Sequence, residues 1–263
     1  MLLSAGDLSP VQAALIGGSI AAGATAAGTL PALFATQIGA RTQDALLGFG
    51  AGVMLAASAF SLVLPGIEAA QQQGAGPWAA GMTVGIALLV GAAMIKALDL
   101  GIPHEHFIKG PEGLSQHGLK RTWLFVFAIC LHNLPEGLAI GVGFATSHSQ
   151  GVALATGIAI QDLPEGFVVA VALILAGYSR MRAMTVGMVS GLIEPVGAVI
   201  GASVVVAVPM LLPTGLGFAA GAMLFVVSHE IIPESHRQGH ENFATGGLMI
   251  GFVLMMLLDT ALG

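Results

Sequence analysis

The stretch Arg121–Thr146 reads RTWLFVFAICLHNLPEGLAIGVGFAT. It is long and apolar enough to cross a bilayer, which takes about 20 residues of helix. Yet His132, Asn133, Pro135 and Glu136 sit near its middle. The next apolar stretch, 151–176, repeats the pattern as Gln161-Asp162-Leu163-Pro164-Glu165-Gly166, and the one after it, 182–208, carries Glu194-Pro195. No lysine or arginine stands beside any of these acids. A carboxylate at the bilayer centre costs roughly 2.5–3.5 kcal/mol on insertion scales, so four left bare would cost on the order of 10 kcal/mol. The expectation is a divalent cation as the offsetting charge, held at mid-membrane by a protein that moves it across.

The rest of the chain agrees with a membrane setting. It is 56% hydrophobic and 8% charged, against roughly 25% charged for a soluble domain. Apolar stretches recur at 10–37, 44–66, 78–99, 121–146, 151–176, 182–208, 214–233 and 241–262. These predict an all-α polytopic bundle of eight transmembrane helices. The formal charge of −6 argues against nucleic acid as a partner, and the single cysteine, Cys130, rules out an intrachain disulfide. Met1 to Pro10 contain no Lys or Arg, so a cleaved signal peptide is not expected.

Orientation follows from the basic residues. Arg41, Lys96, Lys109, Lys120, Arg121, Arg180, Arg182 and Arg237 all lie in or beside the first, third, fifth or seventh connection. Those connections, including a histidine-bearing loop at 100–120, are expected in the cytoplasm, with both termini outside the inner membrane. Glycines four apart, such as Gly48/Gly52, Gly81/Gly85, Gly137/Gly141, Gly197/Gly201, Gly217/Gly221 and Gly247/Gly251, predict close helix packing in lipid.

Helix geometry brings the polar groups to one depth. At about 1.5 Å per residue, His132, Gln161 and Glu194 lie roughly 15–18 Å along their spans. At about 100° per residue, Glu136 projects between His132 and Asn133, and Glu165 between Gln161 and Asp162. Two such helices face to face would place two glutamates centrally, a geometry suited to two metal ions bridged by carboxylates. The donors are one imidazole, two amides and four carboxylates: His132, Asn133, Glu136, Gln161, Asp162, Glu165 and Glu194. They suit zinc and, with no thiolate among them, also cadmium, iron, manganese or cobalt.

HNLPEG, QDLPEG and Glu194-Pro195, together with Arg41-Thr42-Gln43-Asp44 and Ser228-His229-Glu230-Ile231-Ile232-Pro233-Glu234, resemble the ZIP (Zrt/Irt-like) metal transporters, in particular their bacterial branch. The resemblance covers nearly the whole chain. It implies helices arranged three, two and three, with the outer triplets related by inverted symmetry. It implies one metal position built from His132, Glu136, Gln161 and Glu165, and another from Asn133, Glu136, Asp162, Glu165 and Glu194. It also implies an elevator-like shift of spans one, four, five and six, uptake into the cytoplasm, and often a homodimer. The outer-end acid of span two is Glu68, where Asp is expected.

Other residues are candidates for the ends of a route. Ser61 and Glu68 would stand at the entrance, and Asp44, His229 and Glu230 at the exit. His104, His106, His117 and His240 could collect metal on the cytoplasmic side. Met54 is a candidate gate, while His148 reads as surface and Cys130 as packing. Enzyme readings fare poorly. The His-Glu pairs continue as HEHFI, HEIIP and HENFA, so none makes the His-Glu-x-x-His of a metalloprotease. No Glu-x-x-His pair occurs at the embedded acids, as a di-metal oxidase would need. A passive cation channel is the rival that the residues leave open. No organic cofactor is expected.

Overall fold

The computed structural model describes residues 8–34, 39–101, 104–106, 110–112, 121–175, 178–237 and 239–262; at 101, 104–106, 110–112, 121–132, 172 and 175 it describes the backbone alone. Span one is α1 (Pro10–Thr29), closed by a 3-10 turn at Leu30–Leu33. Span two is α2 (Ala40–Ala56), a π-helical segment (Ala57–Val63) and α3 (Leu64–Gln72). Span three is α4 (Pro77–Gly101). Strands β1 (His104–His106) and β2 (Gly110–Glu112) follow, then span four as α5 (Arg121–Thr146) and span five as α6 (His148–Leu175). Span six is α7 (Arg180–Gly191) and α8 (Ile193–Ala207). Span seven is α9 (Leu212–Val226), a second π-helical segment (Val227–Ile231) and α10 (Ile232–Ser235), and span eight is α11 (Glu241–Leu262).

Seven stretches among the described residues are long and apolar enough to cross a membrane: Pro10–Leu33, Ala40–Gln72, Pro77–Leu100, His148–Val171, Arg180–Ala207, Pro209–Ser235 and Glu241–Leu262. The 26-residue α5 adds a helix of about 39 Å. The chain is an all-α, multi-pass membrane protein. The stretch expected as a plain loop at 100–120 holds a small antiparallel ribbon, with His104 opposite Glu112 and His106 opposite Gly110. His117 lies outside the described residues.

Proline accounts for three interruptions that hydropathy does not reveal. A proline ring crowds the carbonyl four residues earlier and offers no N–H to it. Pro195 stands four residues after Gly191, and span six breaks there, at Leu192. Pro65 and Pro233 each follow a π-helical segment, whose wider turn takes in one additional residue ahead of the ring. Pro135 and Pro164 lie inside α5 and α6, which run on through them.

The helices form two sets. Spans one, four, five and six pack on one another, chiefly α1 on α6, α5 on α8 and α1 on α8. Around them, α2 packs along α11 and α4 along α9. These pairings survive an exchange of span one with six, two with seven, three with eight and four with five. Spans three and eight are peripheral: only 28% and 17% of their most apolar windows is buried. Trp78, Met82, Ile86 and Leu89 on α4, and Met249, Ile250, Val253 and Leu257 on α11, are exposed, as lipid-facing side chains should be.

Glycine permits the close crossings on which the site depends. A Cβ on Gly137 would lie 2.3 Å from the Glu194 carbonyl oxygen, and one on Gly28 would lie 2.2 Å from that of Leu163. Backbone thus meets backbone where α5 crosses α8 and where α1 crosses α6. Gly81 and Gly85 depart from the expectation, since nothing among the described residues lies within 4 Å of a Cβ at either. They face away from the bundle.

Candidate metal centre

Close helix crossings deliver the polar residues to one place. The α5–α8 contact puts Glu194 against Asn133, and the α1–α8 contact brings Thr25 to the same carboxylate. Asn133, Glu136, Asp162 and Glu194 are 2% exposed or less, and Gln161 is fully buried. Glu165 is half-buried. One ligand oxygen from each of Glu136, Asp162 and Glu165 lies within 4.8 Å of the other two. The break at Leu192 also leaves Glu194 in the first turn of α8, where the helix dipole favours its negative charge.

The hydrogen bonds divide each side chain into a held atom and an uncommitted one. Thr25 Oγ1 donates to Glu194 Oε1 at 3.0 Å, and Asn133 Nδ2 donates to the same oxygen at 3.2 Å. Glu194 Oε2 has no hydrogen-bond partner among the described residues. Gln161 Nε2 donates to Glu136 Oε1, while Gln161 Oε1 and Asp162 Oδ2 have no partner among the described residues. Both amides therefore spend N–H on a carboxylate and keep their carbonyl oxygen, the atom a hard cation takes. Leaving a buried acceptor unsatisfied costs about 1–3 kcal/mol, and more for a charged one. A cation is the partner these oxygens have in common, and oxygen donors of this kind fit zinc with imidazole help, or manganese and iron.

Six of the seven expected midplane residues are brought together. The seventh, His132, lies on the α5 backbone one residue before Asn133, and its side chain is outside the described set. Among the route candidates, Ser61 is buried and its Oγ donates to Asp259 Oδ1 at 2.6 Å. Glu68 is exposed and stands apart. Asp44 is fully buried, with its Oδ2 3.2 Å from His240 Nδ1. His229 Nε2 stands 4.0 Å from Asp99 Oδ2, and its ring stacks on Phe225 at 4.9 Å. Glu230 is buried beside it in the chain. Met54 is fully buried. His104 and His106 lie on β1.

Thr25, Asp259 and Asp99 are partners that motif spacing does not announce. Their signal is simpler: each is a polar residue inside, or at the very end of, an otherwise apolar span.

Comparison with known proteins places the chain in a family. Residues 105–259 match the family described as ZIP Zinc transporter. The zinc transporter ZIPB of Bordetella bronchiseptica is 54% identical over 95% of this chain and 81% of its own length. The zinc transporter GufA of Myxococcus xanthus is 43% identical over 95% of this chain and 99% of its own. Human zinc transporter ZIP11 is 33% identical over 97% of this chain and 98% of its own. The chain therefore belongs to the ZIP zinc transporter family, a family of membrane transporters rather than of enzymes.

Proposed function

We propose that this protein carries divalent metal, zinc foremost, across the inner membrane into the cytoplasm. The observation that carries the reading is the cluster of Asn133, Glu136, Gln161, Asp162, Glu165 and Glu194, in which Gln161 Oε1, Asp162 Oδ2 and Glu194 Oε2 are buried with no hydrogen-bond partner among the described residues. The relatives' names as zinc transporters support zinc as the cargo. Cadmium, iron and manganese suit the same donors.

Two ions are accommodated in the proposal. His132, Glu136, Gln161 and Glu165 hold one; Asn133, Glu136, Asp162, Glu165 and Glu194 hold the other. Glu136 and Glu165 bridge them. Each ion replaces its water with fixed oxygens, and the two ions supply the positive charge that the spans lack. Spans one, four, five and six then move as a body against spans two, three, seven and eight, exposing the site first to one side and then to the other. Ser61 with Asp259 lines the outer approach. Asp44 with His240, His229 with Asp99, and Glu230 line the inner one, with Glu68 and the histidines of 100–120 beyond the two ends. Met1 and Gly263 face outward.

Radiotracer zinc uptake into proteoliposomes tests the function. Saturable, Glu136-dependent uptake is the expected result. Flux that rises without saturation would favour a channel, and no uptake would reject transport. For orientation, an impermeant thiol reagent applied to intact cells should label Gln73→Cys and spare Ser115→Cys; the reverse would invert the topology.

A further inference from the structure

Gln150 serves none of the roles assigned so far, yet it is 7% exposed in the first turn of α6. A glutamine so placed must find a partner. Its Nε2 donates across to span two, to the carbonyl oxygen of Ser61. That carbonyl lies four residues before Pro65, and Pro65 has no N–H to give it. The glutamine side chain thus supplies, from another helix, the donor that the proline withholds. The same serine is tied to span eight through its hydroxyl on Asp259 Oδ1 at 2.6 Å.

The bond lies on a seam between the two helix sets. A Cβ on Gly157 of α6 would meet Val53 at 3.8 Å, and one on Gly50 of α2 would meet Gln161 Oε1 at 3.7 Å. Gln150 on Ser61, Gly157 on Val53 and Gln161 near Gly50 follow the antiparallel run of α6 along span two, from the end that bears the termini down to the candidate metal centre. If α6 travels with the metal and span two does not, this bond cannot persist through the cycle.

We infer that Gln150 is a positioning residue that latches the mobile bundle to span two through the carbonyl left without a donor by Pro65, holding the outer side closed. The inference rests on the alternating exposure proposed above. Ala57, fully buried and one turn from both Val53 and Ser61, is a reporter for it. In a Cys130→Ser background, Ala57→Cys is labelled from outside with a membrane-impermeant thiol reagent, with and without zinc. Gln150→Leu keeps the volume and removes the donor, so labelling should rise about tenfold as the closed state loses a buried hydrogen bond. Pro65→Ala provides an N–H at residue 65; in that background Gln150→Leu should change labelling by less than about twofold, the non-additivity of a shared partner. A merely structural glutamine would show the same effect in both backgrounds, and that result overturns the latch. So does a wild-type labelling rate in Gln150→Leu. If labelling of Ala57→Cys ignores both zinc and Glu136→Ala in the otherwise unaltered chain, alternating exposure itself fails, and the latch falls with it.

Discussion

In the bundle of spans one, four, five and six, six of the buried polar side chains, Thr25, Asn133, Glu136, Gln161, Asp162 and Glu194, meet at mid-height. In spans two, three, seven and eight polar pairs lie at the two ends: Ser61 with Asp259 at one, Asp99 with His229 and Asp44 with His240 at the other. The mid-height is where a charge costs most, and only the bundle tolerates it there. One set of helices therefore holds the cargo and the other guards the approaches. The exchange of span two for seven and three for eight also carries the Ser61–Asp259 pair near the Asp99–His229 pair. The two approaches are built from corresponding parts of the chain.

The contrast can be broken or sharpened by substitution. Glu136→Ala should have the largest effect, lowering zinc uptake by more than about 100-fold while the protein still inserts and folds, since losses even of residues that only support a metal ligand reach that size. Uptake equal to the unaltered protein's would remove the centre from the bundle. Gly137→Ala should come next. Its methyl would press on the Glu194 carbonyl at 2.3 Å, and overpacking of this kind costs about 1–3 kcal/mol. Thermal unfolding in detergent, alongside zinc affinity, should show both falling together. Thr25→Val should leave folding intact and weaken zinc binding about tenfold, because it removes one of the two donors that hold Glu194 Oε1 without opening a cavity. Thr25→Ser should restore it, and a titration showing Val and Ser alike would deny Thr25 its part. Gly81→Ala is the smallest. With nothing among the described residues within 4 Å, it should stay within about 0.5 kcal/mol of the unaltered stability.

Much of this could be read directly from the chain, for a physical reason. Hydropathy reports the spans because lipid admits little else, and the two proline–glutamate motifs stand out because charge is so rare among them. Periods of 3.6 residues then put Glu136 beside Asn133, and the folded chain keeps them there. Span six was different. An apolar window over 182–208 hides the break at Leu192, because the window sums hydrophobicity and ignores the missing N–H of Pro195. The π-helical segments escaped for the same reason. Thr25 and Gln150 escaped for another: each matters through a partner on a distant span, and a single sequence shows composition along the chain but not what lies across it. Gly81 and Gly85 show the converse error, in which a pattern legible along the helix meets no neighbour among the described residues.

The π-helical segment at Ala57–Val63 makes span two sensitive to counting. A wide turn holds one residue more than the α turn it replaces, and one residue is worth about 100° of rotation. Deleting any single residue there would barely shorten the helix. It would instead turn Leu64–Gln72 about its own axis relative to Ala40–Ala56, sending the groups beyond the turn to a different compass bearing. Phase rather than length is the quantity that this span must conserve, so substitutions should be tolerated across the segment where insertions and deletions are not.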